Sequence, residues 1–204
     1  MSVIASQDIK TFIDKNLNKQ FFDNNEIRKI SAYRILDTTV SVDGMDEKIY
    51  KQFSEDKKRE MKEQNKAAEN EEDINKLYNS LRKGIFPSTV SIIASKLMQH
   101  KEDIVPRMLE DLKKSGNDSF IESVATILIK SQHNYSKEIA AILPYIKYPY
   151  TQAVVCYMLG KTGNEEHIET LFNYFNKFKK DYIKEDYYEG PLMGLYEMKR
   201  RYGF

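Results

Sequence analysis

The chain has 204 residues with 32 basic and 31 acidic side chains, and its formal net charge is +1. This balance excludes a general electrostatic attraction to nucleic acids or anionic lipids, so any such binding needs a local basic patch. The single cysteine, Cys156, excludes an intramolecular disulfide, and every apolar run is far shorter than the ~20 residues that span a bilayer. We therefore expect a soluble, cytoplasmic protein with no secretion signal and no membrane partner.

The first 37 residues predict a pair of helices. Ile9, Phe12 and Ile13 share one face of a helix over residues 7–17, and apolar residues recur at similar spacing over 25–36. Residues 38–44 (TTVSVDG) are compatible with an extended segment that is too isolated to build a sheet. The expected fold class is consequently all-α from the start of the chain.

Residues 38–71 are predicted to be a charged helix or a linker. Acidic and basic residues alternate closely in EDKKREMKEQNK (55–66), and the apolar stripe of Met45, Ile49 and Phe53 is thin. This pattern favours a solvated helix supported by i, i+4 ion pairs, or a partly disordered linker. A helix that binds a partner or mediates dimerisation is the alternative interpretation.

Residues 72–204 predict about four helix pairs in one continuous domain. Apolar residues at three- and four-residue spacing predict helices over 73–82, 89–98, 103–114, 119–131, 136–145, 151–161, 165–179 and 191–201. Short polar breaks separate these segments. Pro87, Pro149 and Pro191 each stand just before an apolar second helix, where a missing backbone N–H costs nothing.

The second helices repeat at a fixed interval. Ala94 aligns with Ala125, and Leu128 aligns with Leu159, in each case 31 residues later. A period of about 30 to 40 residues with two helices in each repeat is typical of an α-solenoid. The segment LGKTGNEE (159–166), followed by IETL (168–171), resembles the short bacterial HEAT repeat. The resemblance implies a HEAT-like α-α superhelix that acts as a scaffold, adaptor or inhibitor, or, in a few family members, on DNA bases.

The residue types that carry catalysis or bind metals form no recognisable constellation in the sequence. His100, His133 and His167 recur at nearly the repeat interval in predicted turns. We therefore expect them to be exposed and about one helix layer, ~10 Å, apart, too far to share a zinc ion with ligands at ~2.0–2.3 Å. Cys156 lies in an apolar segment and is predicted to be a core residue. We expect no enzyme, no metal and no cofactor.

Aromatic and basic residues interleave over residues 174–204. The favoured interpretation is that the aromatic residues cap the end of the repeat stack while the lysines are solvated. A protein-binding surface is the second interpretation, because tyrosine and arginine are enriched in interface hot spots. Nucleic-acid binding comes last, because acidic residues such as Asp181, Glu185 and Asp186 dilute the basic charge.

The sequence favours a non-enzymatic protein–protein interaction module, meaning an adaptor, a regulator or an inhibitor of another protein. Second helices of a solenoid commonly line its concave wall. The residues predicted to contact the partner on this wall are Lys96, Lys130, Gln152, Lys161, Tyr196 and Arg200. We expect Tyr196 and Arg200 to be the anchors, unless Tyr196 is a core residue.

A HEAT-like DNA-binding or DNA-base-excision protein is the alternative function. Nucleic acid is disfavoured as a partner because the charge is balanced and the chain contains no tryptophan. The sequence leaves the oligomeric state open.

Overall fold

The computed structural model describes residues 7–17 and 50–203, and all statements of structure below concern these residues. Within these two ranges the chain forms helices and no strand. The helix predicted over 25–36, the extended segment predicted over 38–44, and the positions of Met45 and Ile49 all lie outside the described residues. The expectation of an all-α fold is confirmed for the described part of the chain.

The helices agree with the predicted segments to within about three residues at each end. In chain order the α-helices are α1 (Gln7–Asn16), α2 (Glu55–Asn70), α3 (Ile74–Ser80), α4 (Pro87–Leu97), α5 (Lys101–Lys114), α6 (Asp118–Lys130), α7 (Ser136–Ile142), α8 (Pro149–Thr162), α9 (Ile168–Asp181) and α10 (Glu189–Tyr202). Four short 3₁₀ helices lie beside them, at Met98–His100, Leu143–Tyr145, Glu165–His167 and Asp186–Tyr188.

Local signals in the sequence explain where several helices begin. The side chains of Asp73 and Asn117 accept hydrogen bonds from backbone N–H groups in the first turns of α3 and α6. Pro87 and Pro149 occupy the first positions of α4 and α8, as predicted. Pro191 lies two residues further in, because α10 already begins at Glu189.

Alternate helices pack against each other along the chain. α2 contacts α4, α4 contacts α6, α6 contacts α8, and α8 contacts α10. Beside this series, α5 contacts α7, and α9 contacts both α8 and α10. Ile93, Val124, Val155 and Leu195 are at most 1% exposed, so each of α4, α6, α8 and α10 contributes to the core. Burial of such a side chain stabilises the fold by roughly 1.5–3 kcal/mol.

The charged segment 55–66 belongs to α2, which packs on α4 through polar contacts. The Oδ1 atom of Asn65 accepts hydrogen bonds from the buried hydroxyl groups of Ser88 and Thr89, at 3.1 and 2.7 Å. Lys96 Nζ donates to two backbone carbonyl groups at the C-terminal end of α2, at 2.6 and 2.8 Å. Ala68 is the buried residue of α2. The spacing of apolar residues alone therefore does not predict how α2 packs on α4.

The N-terminal helix α1 packs against the C-terminal part of the chain. The Phe12 ring centroid lies 5.0 Å from that of Phe172 and 4.8 Å from that of Phe175, both on α9. Ile9 and Ile13, on the same face of α1, are buried. The apolar face predicted for residues 7–17 is confirmed, but its partner lies more than 150 residues away in the sequence.

Candidate functional site

The structure gives the six predicted contact residues different surroundings. Lys96 is engaged by the end of α2, as described above. Gln152 is 9% exposed. Its Nε2 donates to the backbone carbonyl of Ile146 at 2.7 Å, and its Oε1 accepts from Lys177 Nζ at 3.2 Å. Both side chains thus make hydrogen bonds that hold neighbouring segments of the chain together.

Lys161 of α8 and Arg200 of α10 both pair with Glu197 of α10. Lys161 Nζ lies 3.2 Å from one carboxylate oxygen of Glu197, and an Arg200 guanidinium nitrogen lies 2.7 Å from the other. Glu197 is only 6% exposed, so these two cations compensate a buried charge. Tyr196 is partly buried and packs against the hydrophobic core.

Lys130 differs from the other five because it lines an open cleft between α4 and α6, here called the α4–α6 groove. Its main part has a volume of about 440 Å³, and an adjoining part has a volume of about 220 Å³. Lys130, Val90 and Thr126 line both parts. The apolar residues that line the main part are Val90, Ala94, Met98 and Ile127.

The groove exists where α4 and α6 lack the close contact made by α8 and α10. A Cβ atom added to Gly160 of α8 would lie 2.1 Å from the Cα atom of Gly194 of α10, so these helices touch backbone to backbone. The residues 31 and 62 positions before Gly160 are Ile129 and Met98. Their side chains prevent a backbone contact of this kind between the earlier helices.

Lysine side chains line the edges of the α4–α6 groove. Lys83 lies at one end, Lys101 lies at the other beside the imidazole of His133, and Lys130 lies between them. Lys130 is exposed, and burial of part of its side chain lowers its pKa. Among the described residues that line the groove, Glu122 carries the one carboxyl group.

The surroundings of Glu122 affect the pKa of its carboxyl group. Burial, with a smaller contribution from Asp118, raises the pKa of Glu122, and a hydrogen bond from Tyr150 opposes the rise. The Tyr150 hydroxyl donates to Glu122 Oε1 at 2.7 Å. The hydrogen bond fixes this carboxyl group beside α8, so it does not neutralise the cationic groups at the opposite end.

Hydroxyl groups provide hydrogen-bond acceptors along the groove. Ser91, Ser95 and Thr126 line its main part. Each donates its hydroxyl proton to a backbone carbonyl of its own helix, at 3.1, 2.7 and 2.9 Å respectively. Because each hydroxyl proton is already donated to a backbone carbonyl group, the hydroxyl oxygens can only accept hydrogen bonds from N–H donors of a ligand.

One prediction about the histidines is wrong. His100 and His133 are exposed, but His167 is 7% exposed and therefore buried. Its Nδ1 accepts a hydrogen bond from the backbone N–H of Asn164 at 3.3 Å and so caps the 3₁₀ helix at Glu165–His167. The spacing Asn-x-x-His resembles a capping box, and this signal was available in the sequence.

Cys156 is fully buried, and burial raises the pKa of its thiol well above the ordinary value. Such a thiol is poorly suited to act as a nucleophile, because the thiolate is the reactive form. Within residues 7–17 and 50–203, no group of three or more histidine, cysteine, aspartate or glutamate side chains is placed to hold a metal ion.

Most aromatic rings of the C-terminal segment pack against each other. The Phe178 ring lies 5.9 Å from Tyr182 and 6.2 Å from Tyr187, and Phe178 is fully buried. Lys179 Nζ lies 3.4 Å from the centroid of the Tyr188 ring. These contacts use the aromatic residues within the fold, while neighbouring Ile183 is 83% exposed.

Glu189, at the start of α10, is a buried carboxyl group that carries a stability cost. It is 6% exposed, and its Oε2 makes no hydrogen bond within the described part of the chain. Burial, with repulsion from Asp186, raises the pKa of Glu189 to about 8, and Lys179 opposes the rise. The protonated form is therefore favoured in the folded chain at neutral pH.

We expect the chain to lose stability as the pH rises from about 4.5 to about 8. The unfolded chain releases the Glu189 proton near the ordinary pKa of 4.5, whereas the folded chain retains it to about 8. Glu189→Gln should remove this loss and raise stability at pH 8 by ~1 kcal/mol or more. Thermal unfolding between pH 4.5 and 9 checks this, with the exposed Glu169→Gln as the control. Parallel pH curves for wild type and Glu189→Gln would contradict the assignment.

Comparison with family models, with curated proteins and with solved structures finds no significant match to this chain. Among the described helices, none is long and apolar enough to cross a membrane. The α4–α6 groove, which combines an apolar lining with Lys130, is the candidate binding site.

Proposed function

We propose that this chain is a non-enzymatic protein–protein interaction module with a HEAT-like solenoid arrangement, and that it binds a segment of another protein in the α4–α6 groove. The open groove, with its apolar floor and cationic edges, is the observation that carries the proposal. The role is that of an adaptor, a regulator or an inhibitor, since the groove offers binding without an evident nucleophile or acid–base pair.

Two features support the solenoid arrangement. Helices α4, α6, α8 and α10 each contact the next in the series. The interval of 31 residues places Ala94, Ala125 and Cys156 at equivalent positions on the first three of these helices. A repeated helix pair that packs on its neighbours is how a solenoid buries apolar faces that a single pair leaves exposed.

The lining of the groove favours a protein segment as its occupant. Binding sites combine a mostly apolar surface with a few polar groups that fix orientation. Val90, Ala94, Met98 and Ile127 provide the apolar surface, and Lys130 lies among them. A nucleic acid gains most of its affinity from many phosphate contacts, and a chain with an overall charge of +1 has no general attraction for them.

Site-specific photo-crosslinking in cells that express the full chain tests the proposal. A benzophenone amino acid replaces Ser95, which is exposed and lines the groove, or Lys137, which is exposed on α7. We expect a discrete protein adduct from position 95 that is absent from position 137 and is lost when Lys130→Glu is added. Equal adducts from both positions, or an adduct from position 137 alone, would place partner binding elsewhere.

A further inference from the structure

We infer that the occupant of the α4–α6 groove is a short extended peptide segment that carries an acidic side chain, which pairs with Lys130. This inference rests on the proposed interaction function and adds the conformation and the charge of the bound segment. The length of the groove, its hydrogen-bond acceptors and its charge distribution each support one part of it.

The dimensions of the groove suit an extended segment of about five residues. Helix α4 spans 11 residues, which corresponds to about 16 Å at ~1.5 Å per residue. An extended chain advances ~3.3 Å per residue, so about five residues lie along this length. Alternate side chains of an extended segment point to the same side and can contact Ala94, Met98 and Ile127 on the floor.

The acceptors in the groove suit a peptide backbone. An extended segment exposes backbone N–H groups that need acceptors once they leave water. The hydroxyl oxygens of Ser91, Ser95 and Thr126 lie on both walls, and their protons are already donated within their own helices. These oxygens therefore match N–H donors of a bound segment better than they match further acceptors such as phosphate oxygens.

The charges in the groove select an acidic segment. Lys130 lines both parts of the groove and so lies near its middle, and Lys83 and Lys101 add positive charge at its two ends. Lys130 is exposed, so its ammonium group can be reached by a carboxylate of the bound segment, and a charge-assisted hydrogen bond can form there. A lysine in the segment would face Lys83, Lys101 and Lys130 and would be repelled.

Fluorescence anisotropy with pentapeptide pools tests the inference on the full chain. The central residue of each pool is fixed as aspartate, asparagine or lysine, and the other four positions vary among apolar and small polar residues. We expect the aspartate pool to bind at least about tenfold more tightly than the asparagine pool, and the lysine pool to bind most weakly. Lys130→Glu should reverse the order of the aspartate and lysine pools, and Lys137→Glu should leave it unchanged.

Ser95→Trp provides the control for the location of binding, because a large side chain at this exposed position fills the groove without entering the core. It should abolish binding of the aspartate pool while the melting temperature stays near that of wild type. Equal binding of all three pools, abolished by Ser95→Trp, would overturn the acidic specificity but leave the proposed function standing. Binding that survives Ser95→Trp would contradict both. No binding of any pool would overturn the short extended segment, while the photo-crosslinks at position 95 decide the proposed function.

Discussion

Gly160→Ala should destabilise the chain by about 3 kcal/mol, because no space exists for one additional methyl group at this position. The new Cβ would lie 2.1 Å from the Cα atom of Gly194 and 2.6 Å from its carbonyl oxygen. Both are backbone atoms of α10, so relief requires that α8 and α10 separate along their contact. Chemical denaturation monitored by circular dichroism measures the loss.

Gly84→Ala is the matched control for this substitution. A Cβ atom at Gly84 meets no other atom within 4 Å, so the free energy of unfolding should change by less than about 0.5 kcal/mol. Equal stability of Gly160→Ala and Gly84→Ala would show that α8 and α10 are not in backbone contact. The difference in helix spacing that leaves the groove open between α4 and α6 would then not follow from the glycines of α8 and α10.

Phe120→Ala should cost ~3–5 kcal/mol, as expected for truncation of a large buried aromatic side chain. Phe120 on α6 is fully buried, and its ring centroid lies 5.8 Å from that of Tyr78 on α3. The Arg82 guanidinium lies 4.3 Å from the Phe120 ring centroid. The truncation therefore removes contacts that join the α3 region to α6, and denaturant unfolding measures the loss.

Tyr145→Ala is the control for Phe120→Ala, because Tyr145 is an aromatic residue that is 74% exposed. Its removal should change the free energy of unfolding by less than about 0.5 kcal/mol. Similar losses for the two variants would mean that Phe120 is not part of the core.

The helices over residues 73–201 could be predicted from the sequence because their signals are local. Apolar residues at three- and four-residue spacing, and caps such as Asn117, are read within a single turn or two. The contact of α1 with α9 could not be predicted. The apolar face that carries Phe12 indicates that α1 is buried on that side, but it does not indicate which helix packs there. The polar contact of α2 with α4 could not be predicted either. Nothing in the sequence around Asn65 indicates that its side chain accepts hydrogen bonds from Ser88 and Thr89.

Only part of the candidate site could be predicted from the sequence. Lys130 was predicted as a contact residue, and it lines the groove. Lys161 and Arg200 were predicted to contact a partner, but both pair with Glu197. The pair with Lys161 depends on how α8 and α10 are rotated against each other, whereas Arg200 and Glu197 lie three residues apart on α10, a local signal that the sequence offered. The serines at positions 91 and 95, four residues apart on one helical face, were a local signal for the polar wall.

Amide hydrogen exchange of the full chain, with and without the aspartate pentapeptide pool at saturation, locates the bound segment, which we propose lies between α4 and α6. We predict that the pool slows exchange in Pro87–Leu97 and Asp118–Lys130 and leaves Ile168–Asp181 and Glu189–Tyr202 unchanged. Slower exchange confined to those two C-terminal helices, or no change in α4 and α6, would contradict the proposed location.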